Sequence, residues 1–188
     1  MFDAQCDLAA LVYGEDQDPD AVLQQFAADL RARGIRAVGL VQVGHRLHDQ
    51  PKLDAVLVHS GERLQLLQDL GPLATGCRLD VGQLLSAGSQ VAGAIDQGAD
   101  LLIINRFGKQ ESEGKGLSFL IDRALSADIP VVIAVPRHRF DDWIKFADGM
   151  SVKLNCTRAA LEVWWAGVSA RAASVVRDDH VTVCEVVK

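Results

Sequence analysis

Short apolar runs alternate along this chain with segments whose apolar residues recur at helical spacing. Residues 8–13 form an apolar run that predicts a buried first strand. Asp18 and Pro19 then provide a helix cap followed by proline at the first helical position, which predicts a helix over 19–33. A second strand over 35–43 follows directly, so the chain begins with a strand–helix–strand unit.

The middle of the chain contains a polar insert and a second helix. Residues 53–59 and 63–67 have the pattern of a short antiparallel pair, which we expect at an edge of the sheet. Asp80 then caps a helix predicted over 81–97.

The second half continues the alternation. Its predicted elements are a central strand (101–104), a glycine-rich charged loop (105–116), a helix (117–127), a strand (130–135), a helix (157–173) and a last strand (181–187). This order predicts an α/β fold: a three-layer parallel sheet with helices on both faces and a small antiparallel insert. Ligands of such sheets bind beyond the carboxyl ends of the strands, so loops 14–20, 105–116 and 136–142 should converge there.

Composition narrows the class of protein. A chain of 188 residues, 49% of them hydrophobic, fits a single domain over 1–188. A net charge of −6 argues against a nucleic-acid binder. Without a membrane-length apolar stretch or a signal-peptide pattern, we expect a cytoplasmic protein with no membrane insertion. The scattered cysteines (Cys6, Cys77, Cys156 and Cys184) have no zinc-binding spacing and are expected to be thiols.

The turn after the first strand occupies the place of a phosphate-binding P-loop. Against the template G-x-x-x-x-G-K-[ST], residues 14–21 keep the first glycine. Pro19, Asp20 and Ala21 stand where the second glycine, the lysine and the hydroxyl belong. Proline lacks an amide donor, aspartate reverses the charge, and alanine offers Mg²⁺ no hydroxyl, so this turn is not expected to work as a Walker A loop.

Several segments also carry a family resemblance: Gly76-Cys77-Arg78-Leu79-Asp80, Asn105-Arg106-Phe107-Gly108-Lys109-Gln110-Glu111, Glu113-Gly114-Lys115-Gly116, and Pro136-Arg137 with Trp143, Phe146 and Ala147. The order of strands and helices, with Gly108-Lys109-Gln110-Glu111 after the central strand, resembles the small P-loop nucleoside-triphosphatases. The segments above are more closely similar, over about residues 8–170, to an uncharacterised bacterial nucleoside-triphosphatase-like family that is often encoded beside molybdate-transport genes. The resemblance implies a P-loop-like domain with degenerate Walker A and B motifs, since Asn105 and Arg106 stand where relatives place the acidic pair that holds Mg²⁺.

The loop after the central strand is the first candidate anion site. Arg106, Lys109 and Lys115 supply positive charge, and the backbone amides around Gly108, Gly114 and Gly116 could turn toward an oxyanion. The alternative is a solvated loop in which Glu111 and Glu113 pair with the lysines of the same loop.

Other candidates come from neighbouring loops. Arg78 lies next to Cys77 at a predicted helix N-terminus, and Arg137 follows a parallel strand, so both are predicted ligand contacts. The alternative for each is a purely structural role. His138, His45 and His48 lack partners at metal-ligand spacing, and the tryptophans (Trp143, Trp164 and Trp165) are expected in the core or at a subunit interface of a homo-oligomer.

These observations leave more than one function open. The first hypothesis is a non-hydrolysing protein that binds a small anion: a nucleotide, a molybdopterin-type cofactor or a molybdate- or tungstate-like oxyanion. The second is a nucleoside triphosphatase with an unorthodox site built from Arg78, Arg106 and Lys109. The third is a structural partner protein in molybdenum metabolism, a link that comes only from the resemblance. The sequence identifies no cofactor.

Overall fold

The computed structural model describes residues 7–43, 54–66 and 80–178. The strands are β1 (Leu8–Tyr13), β2 (Ala37–Val43), β3 (Asp54–Leu57), β4 (Arg63–Gln65), β5 (Leu101–Asn105), β6 (Val131–Pro136) and β7 (Val152–Asn155). The α-helices are α1 (Pro19–Ala32), α2 (Val81–Asp96), α3 (Lys109–Ser112), α4 (Ser118–Leu125), α5 (Phe140–Phe146) and α6 (Arg158–Asp178). A single 3₁₀ turn, Arg137–Arg139, precedes α5.

The strands form one seven-stranded sheet in the order β4-β3-β2-β5-β6-β1-β7. The pairs β2–β5, β5–β6, β6–β1 and β1–β7 are parallel, whereas β3 and β4 pair antiparallel at one edge. The predicted parallel sheet with a small antiparallel insert is therefore confirmed. In register, Tyr13 lies opposite Pro136 and Asn105 opposite Ala134, so β1, β5 and β6 end together at one edge.

Helices cover both faces of the sheet. Alternate residues of β1, such as Leu11 and Tyr13, pack with α1 and α6, including Phe26, Trp164 and Trp165. The intervening residues pack with α2, α4 and α5, including Trp143. This two-sided burial explains the apolar strands, and it confirms that the tryptophans are core residues.

Gly39 permits a close approach of two central strands. Its φ is +136°, and a Cβ at this position would stand 1.9 Å from the carbonyl oxygen of Ile103 on β5. Only glycine fits here, because any side chain would collide with the neighbouring backbone.

The N-terminal caps predicted for α1 and α2 are confirmed. Asp18 accepts from the Ala21 amide at 3.0 Å, and Asp80 accepts from the Gln83 amide at the same distance. The prediction that 105–116 is entirely loop is wrong, because α3 forms one turn within it. Strand β7 and helix α5 were not predicted, since both are short and β7 exposes alternate residues.

Several predictions fall outside the residues that the structure describes. They concern Arg78, the last strand (181–187), the pair His45 and His48, and three cysteines (Cys6, Cys77 and Cys184). The fourth cysteine, Cys156, is a buried thiol. None of the helices in the described ranges is long and apolar enough to cross a bilayer.

Candidate functional site

A cleft of about 1260 Å³ opens at the edge where β1, β5 and β6 end. Three segments line it: residues 13–21 with Gln24, residues 106–108, and residues 136–139. The predicted convergence of the three loops is thus observed, although only the beginning of the loop after β5 takes part. One wall carries acidic residues (Glu15, Asp16, Asp18 and Asp20), and the other carries basic residues (Arg106, Arg137, His138 and Arg139).

The turn between β1 and α1 uses some of its amide donors internally. The Gly14 amide donates to Oε1 of Gln17 at 2.8 Å, and the Ala21 amide donates to the Asp18 cap. Pro19 has no amide hydrogen. These three positions therefore do not present N–H groups to a ligand in the cleft.

A buried polar cluster forms the floor of the cleft. Asn105 is fully buried at the end of β5, and its side-chain N–H donates to Oδ1 of Asp20 on the first turn of α1. A guanidinium nitrogen of Arg106 lies 3.5 Å from the same carboxylate oxygen, and the Arg106 and Asp20 side chains are 16% and 10% exposed. The carboxylate is thus matched by an amide donor and a cation, as a buried charge requires.

Tyr13 completes this floor from the end of β1. The Arg106 guanidinium lies over its ring, 5.7 Å from the centroid. Burial raises the pKa of the Tyr13 phenol, with the positive charge of Arg106 acting in the opposite direction. The phenol is therefore protonated at neutral pH. Within the described part of the chain, Tyr13 Oη and Asn105 Oδ1 are buried without a hydrogen-bond partner.

Phe107 fixes the backbone that carries Arg106. It is fully buried, and its amide donates to the Ala134 carbonyl at 2.8 Å. Its ring meets Trp143 edge-on, with centroids 5.1 Å apart, and also contacts Phe146. An apolar anchor next to the arginine holds the side chain of Arg106 at the cleft floor and limits its freedom.

Glu111 organises the rest of the loop. Its carboxylate accepts from the Gly108 amide at 2.9 Å and from the Leu117 amide at 3.1 Å. The Gly114 amide donates to the Glu111 carbonyl at 3.0 Å. This corrects the expectation that the amides of Gly108 and Gly114 face an oxyanion, because both are donated within the loop. It also corrects the alternative in which Glu111 pairs with lysines.

The two lysines of the loop lie outside the cleft lining. Lys109 and Lys115 are 76% and 65% exposed, and their ammonium groups lie 4.0 and 3.1 Å from the Glu113 carboxylate. The hydrogen bond and charge of Lys115 lower the pKa of Glu113. The solvated alternative thus describes the pairing of Glu113 with both lysines, and a ligand role for Lys109 and Lys115 stays a prediction.

Arg137 is exposed on the basic wall, as predicted, beside His138 and Arg139. A guanidinium nitrogen of Arg139 lies 3.6 Å from a carboxylate oxygen of Asp142.

Sequence reasoning missed Tyr13 and the role of Asp20 as partner of Arg106. The sequence did contain a signal for this pair. Asp20 stands where the P-loop template has a lysine, and Arg106 stands where relatives have an acid. No cluster of three or more histidine, cysteine or acidic residues that suits a metal occurs within the described ranges.

The model of a family described as "Protein of unknown function (DUF2478)" matches residues 8–164. The chain belongs to this family. A curated relative, the molybdenum import ATP-binding protein ModC 2 of Bradyrhizobium diazoefficiens, is 38% identical over 177 residues, or 92% of this chain. The DUF2478 chain spans only 19% of the length of that relative.

Two solved structures share the fold of this DUF2478 protein. A human cancer-related nucleoside triphosphatase has a TM-score of 0.55 and 16% identity, covering 89% of this chain and 96% of its own. THEP1 from Aquifex aeolicus has a TM-score of 0.56 and 14% identity, covering 85% of this chain and 95% of its own. The fold is that of the P-loop nucleoside-triphosphatases.

Proposed function

We propose that this DUF2478 protein is a cytoplasmic anion-binding protein that holds an oxyanion against Arg106 and Arg137 without hydrolysing nucleoside triphosphates. The observation that supports it is the basic wall of the cleft, where the ends of β5 and β6 each supply an arginine. Guanidinium groups bind oxyanions through charge-assisted, often bidentate, hydrogen bonds.

Degenerate Walker motifs are part of this proposal. Asp20 stands at the template position of the Walker A lysine, and its carboxylate is engaged by Asn105 and Arg106. A lysine that meets the terminal phosphates and an acid that holds Mg²⁺ are both needed for phosphoryl transfer on this scaffold. The cleft therefore keeps the location of a nucleotide site and has different chemistry at its floor.

The proposed ligand carries an oxyanion group: a nucleotide, a molybdopterin-type cofactor, or molybdate or tungstate. The name of the 38%-identical relative refers both to molybdenum import and to ATP binding, which supports testing all of these classes. A cleft of about 1260 Å³ is large enough for a nucleotide-sized molecule and open enough for a small ion.

A thermal-shift screen followed by calorimetry tests the proposal. ATP, GTP, molybdate, tungstate and phosphate are the probes, because a ligand that binds only the folded state raises its stability. We expect Arg137→Ala to weaken binding by about 10- to 100-fold, the loss of one charge-assisted contact. Arg123→Ala is the matched control, since Arg123 is an exposed arginine paired with Asp96 outside the cleft lining.

Two results would count against an anion site in this cleft. One is that none of the probes stabilises the protein. The other is that Arg137→Ala binds the best probe as tightly as the wild type does.

A second candidate function is that of a partner protein in molybdenum metabolism. It is favoured by the single observation that the matching region is a fifth of a longer relative named for molybdenum import. Size-exclusion chromatography with a purified ATP-binding subunit of a molybdate importer tests it. A stable complex, together with no response to any of the anions, would favour this candidate over the first.

A further inference from the structure

We propose that Asp20 determines which anions the cleft accepts: its carboxylate competes for Arg106 and selects small dianions such as molybdate or phosphate over nucleoside triphosphates. The inference rests on the proposed function, since it assigns the selectivity of that same site.

The first argument is that the ligand-binding cation already has an internal carboxylate. Oδ1 of Asp20 lies 3.5 Å from a guanidinium nitrogen of Arg106, and both side chains are largely buried at the cleft floor. Asn105 donates to the same oxygen from a fully buried position, which fixes the carboxylate in place. Any anion that reaches Arg106 therefore shares it with a fixed negative charge.

The second argument is the direction from which an anion can approach. In the Walker template the cation stands at the start of the helix, and the acid follows the neighbouring strand. Here Asp20 is on the first turn of α1, and Arg106 follows β5, so the two charges are exchanged. Asp16 and Asp18 add negative charge to the α1 side of the cleft. An anion thus fits best between Arg106 and Arg137, on the β5–β6 side.

The third argument concerns magnitude. Coulomb repulsion from a fixed carboxylate grows in proportion to the charge of the ligand. A nucleoside triphosphate carries about twice the charge of molybdate, so the same carboxylate repels it about twice as strongly at equal distance. Asp20 therefore costs the triphosphate more binding free energy than it costs a compact dianion.

Calorimetric titration of molybdate and ATP, without Mg²⁺ and at fixed ionic strength, tests the proposal with Asp20→Asn. The asparagine has the same shape and can still accept from Asn105. We expect the affinity for ATP to rise about 10-fold or more and that for molybdate about 3-fold or less. Asp122→Asn removes the same charge from an exposed position of α4 outside the cleft lining and should change either affinity less than about 2-fold.

A double-mutant cycle shows whether Asp20 acts through Arg106. In the Arg106→Gln background, Asp20→Asn should give a clearly smaller gain for ATP than in the wild-type background, because competition for Arg106 is absent and only direct Coulomb repulsion remains. A structural effect of the substitution would give the same gain in both backgrounds. Asp20→Ser, which is smaller and still polar, repeats the measurement if Asp20→Asn does not fold.

The outcomes separate this inference from the proposed function. If the wild type binds molybdate through Arg137 but Asp20→Asn leaves the preference between ATP and molybdate unchanged, the role of Asp20 is wrong and the anion site stands. The role is equally overturned if Asp122→Asn changes the two affinities as much as Asp20→Asn does. If neither the wild type nor Asp20→Asn binds either probe, the anion site itself is overturned.

Discussion

Asn105, at the end of β5, donates its side-chain N–H to the carboxylate of Asp20, 85 residues earlier in the chain. Both side chains are buried, so this hydrogen bond ties the first turn of α1 to the central strand at the floor of the cleft. A hydrogen bond to a charged group contributes about 1.5–3 kcal/mol, and losing it would also leave a buried carboxylate undersatisfied.

This contact predicts a pH-dependent effect of Asn105→Asp. Two adjacent buried carboxyls raise the folded-state pKa of one of them above its unfolded value of about 4. The unfolded state then loses that proton first, so the free energy of unfolding falls as pH rises between the two values. We expect the variant to be less stable than the wild type by a larger margin at pH 7.5 than at pH 5. Urea unfolding at both pH values measures it.

Asn105→Ala is the control for the lost hydrogen bond. It should destabilise by about 1–3 kcal/mol, with a deficit that changes less with pH than that of Asn105→Asp. Equal pH dependence of the two variants would show that the Asp20 carboxylate does not repel the new acid.

Gly116 should tolerate a side chain less well than Gly114. Both have positive φ, +60° and +70°, so either Gly→Ala change costs about 1–2 kcal/mol of backbone strain. At Gly116 a Cβ would also stand 2.3 Å from Oε1 of Glu111, whereas at Gly114 nothing lies within 4 Å. We expect Gly116→Ala to cost roughly 1–3 kcal/mol more than Gly114→Ala in urea unfolding. Equal costs would show that Glu111 can move without loss.

The loop lysines are expected to contribute little to anion binding. Lys109 and Lys115 are exposed, pair with Glu113, and lie outside the cleft lining. We therefore predict that Lys109→Ala/Lys115→Ala changes the affinity for the best anion by less than about 2-fold and leaves the melting temperature nearly unchanged. A 10-fold loss of affinity in calorimetry would restore the sequence-based assignment of these lysines to the site.

Hydrolysis of ATP or GTP with Mg²⁺ is expected to stay far below about 1 s⁻¹, an ordinary enzymatic turnover. Restoring the template with Pro19→Gly, Asp20→Lys and Ala21→Thr should not create an ATPase, because Asn105 still supplies no acid for Mg²⁺. The structure adds that a cation at position 20 would face Arg106 and destabilise the triple variant. A steady-state phosphate-release assay on the wild type and the triple variant tests both expectations. Robust turnover by either of them would show that the site catalyses hydrolysis.

His59 should make stability fall on mild acidification. Burial lowers its pKa, with the positive charges of Arg31 and Arg36 acting in the same direction and Glu62 opposing them. The unfolded state, with a histidine pKa of about 6.5, then takes up the proton first, so the free energy of unfolding falls as pH drops through that value. In His59→Asn this contribution is absent. Unfolding at pH 7.5 and 5.5 should show a smaller decline for the variant than for the wild type.

The order of helices and strands could be predicted from the sequence because it depends on local patterns. Apolar runs such as residues 101–104 and capping residues such as Asp18 and Asp80 act within a few positions of the chain. The convergence of loops 14–20, 105–116 and 136–142 could also be predicted from the sequence, since parallel strands place their carboxyl ends at one edge of the sheet. Strand β7 and helix α5 were missed because short, half-exposed elements leave little periodic signal.

The partners of the charged residues at this edge were decided by the tertiary structure alone. The sequence placed Asp20 and Arg106 at two motif positions, but only the docking of α1 against β5 brings them to 3.5 Å and buries them. Arg106 and Lys109 looked equivalent in the sequence. The packing of Phe107 on Trp143 holds the first at the cleft floor, while the helical turn of α3 leaves the second in solvent. Which cation meets a ligand depends on long-range packing, which local patterns do not encode.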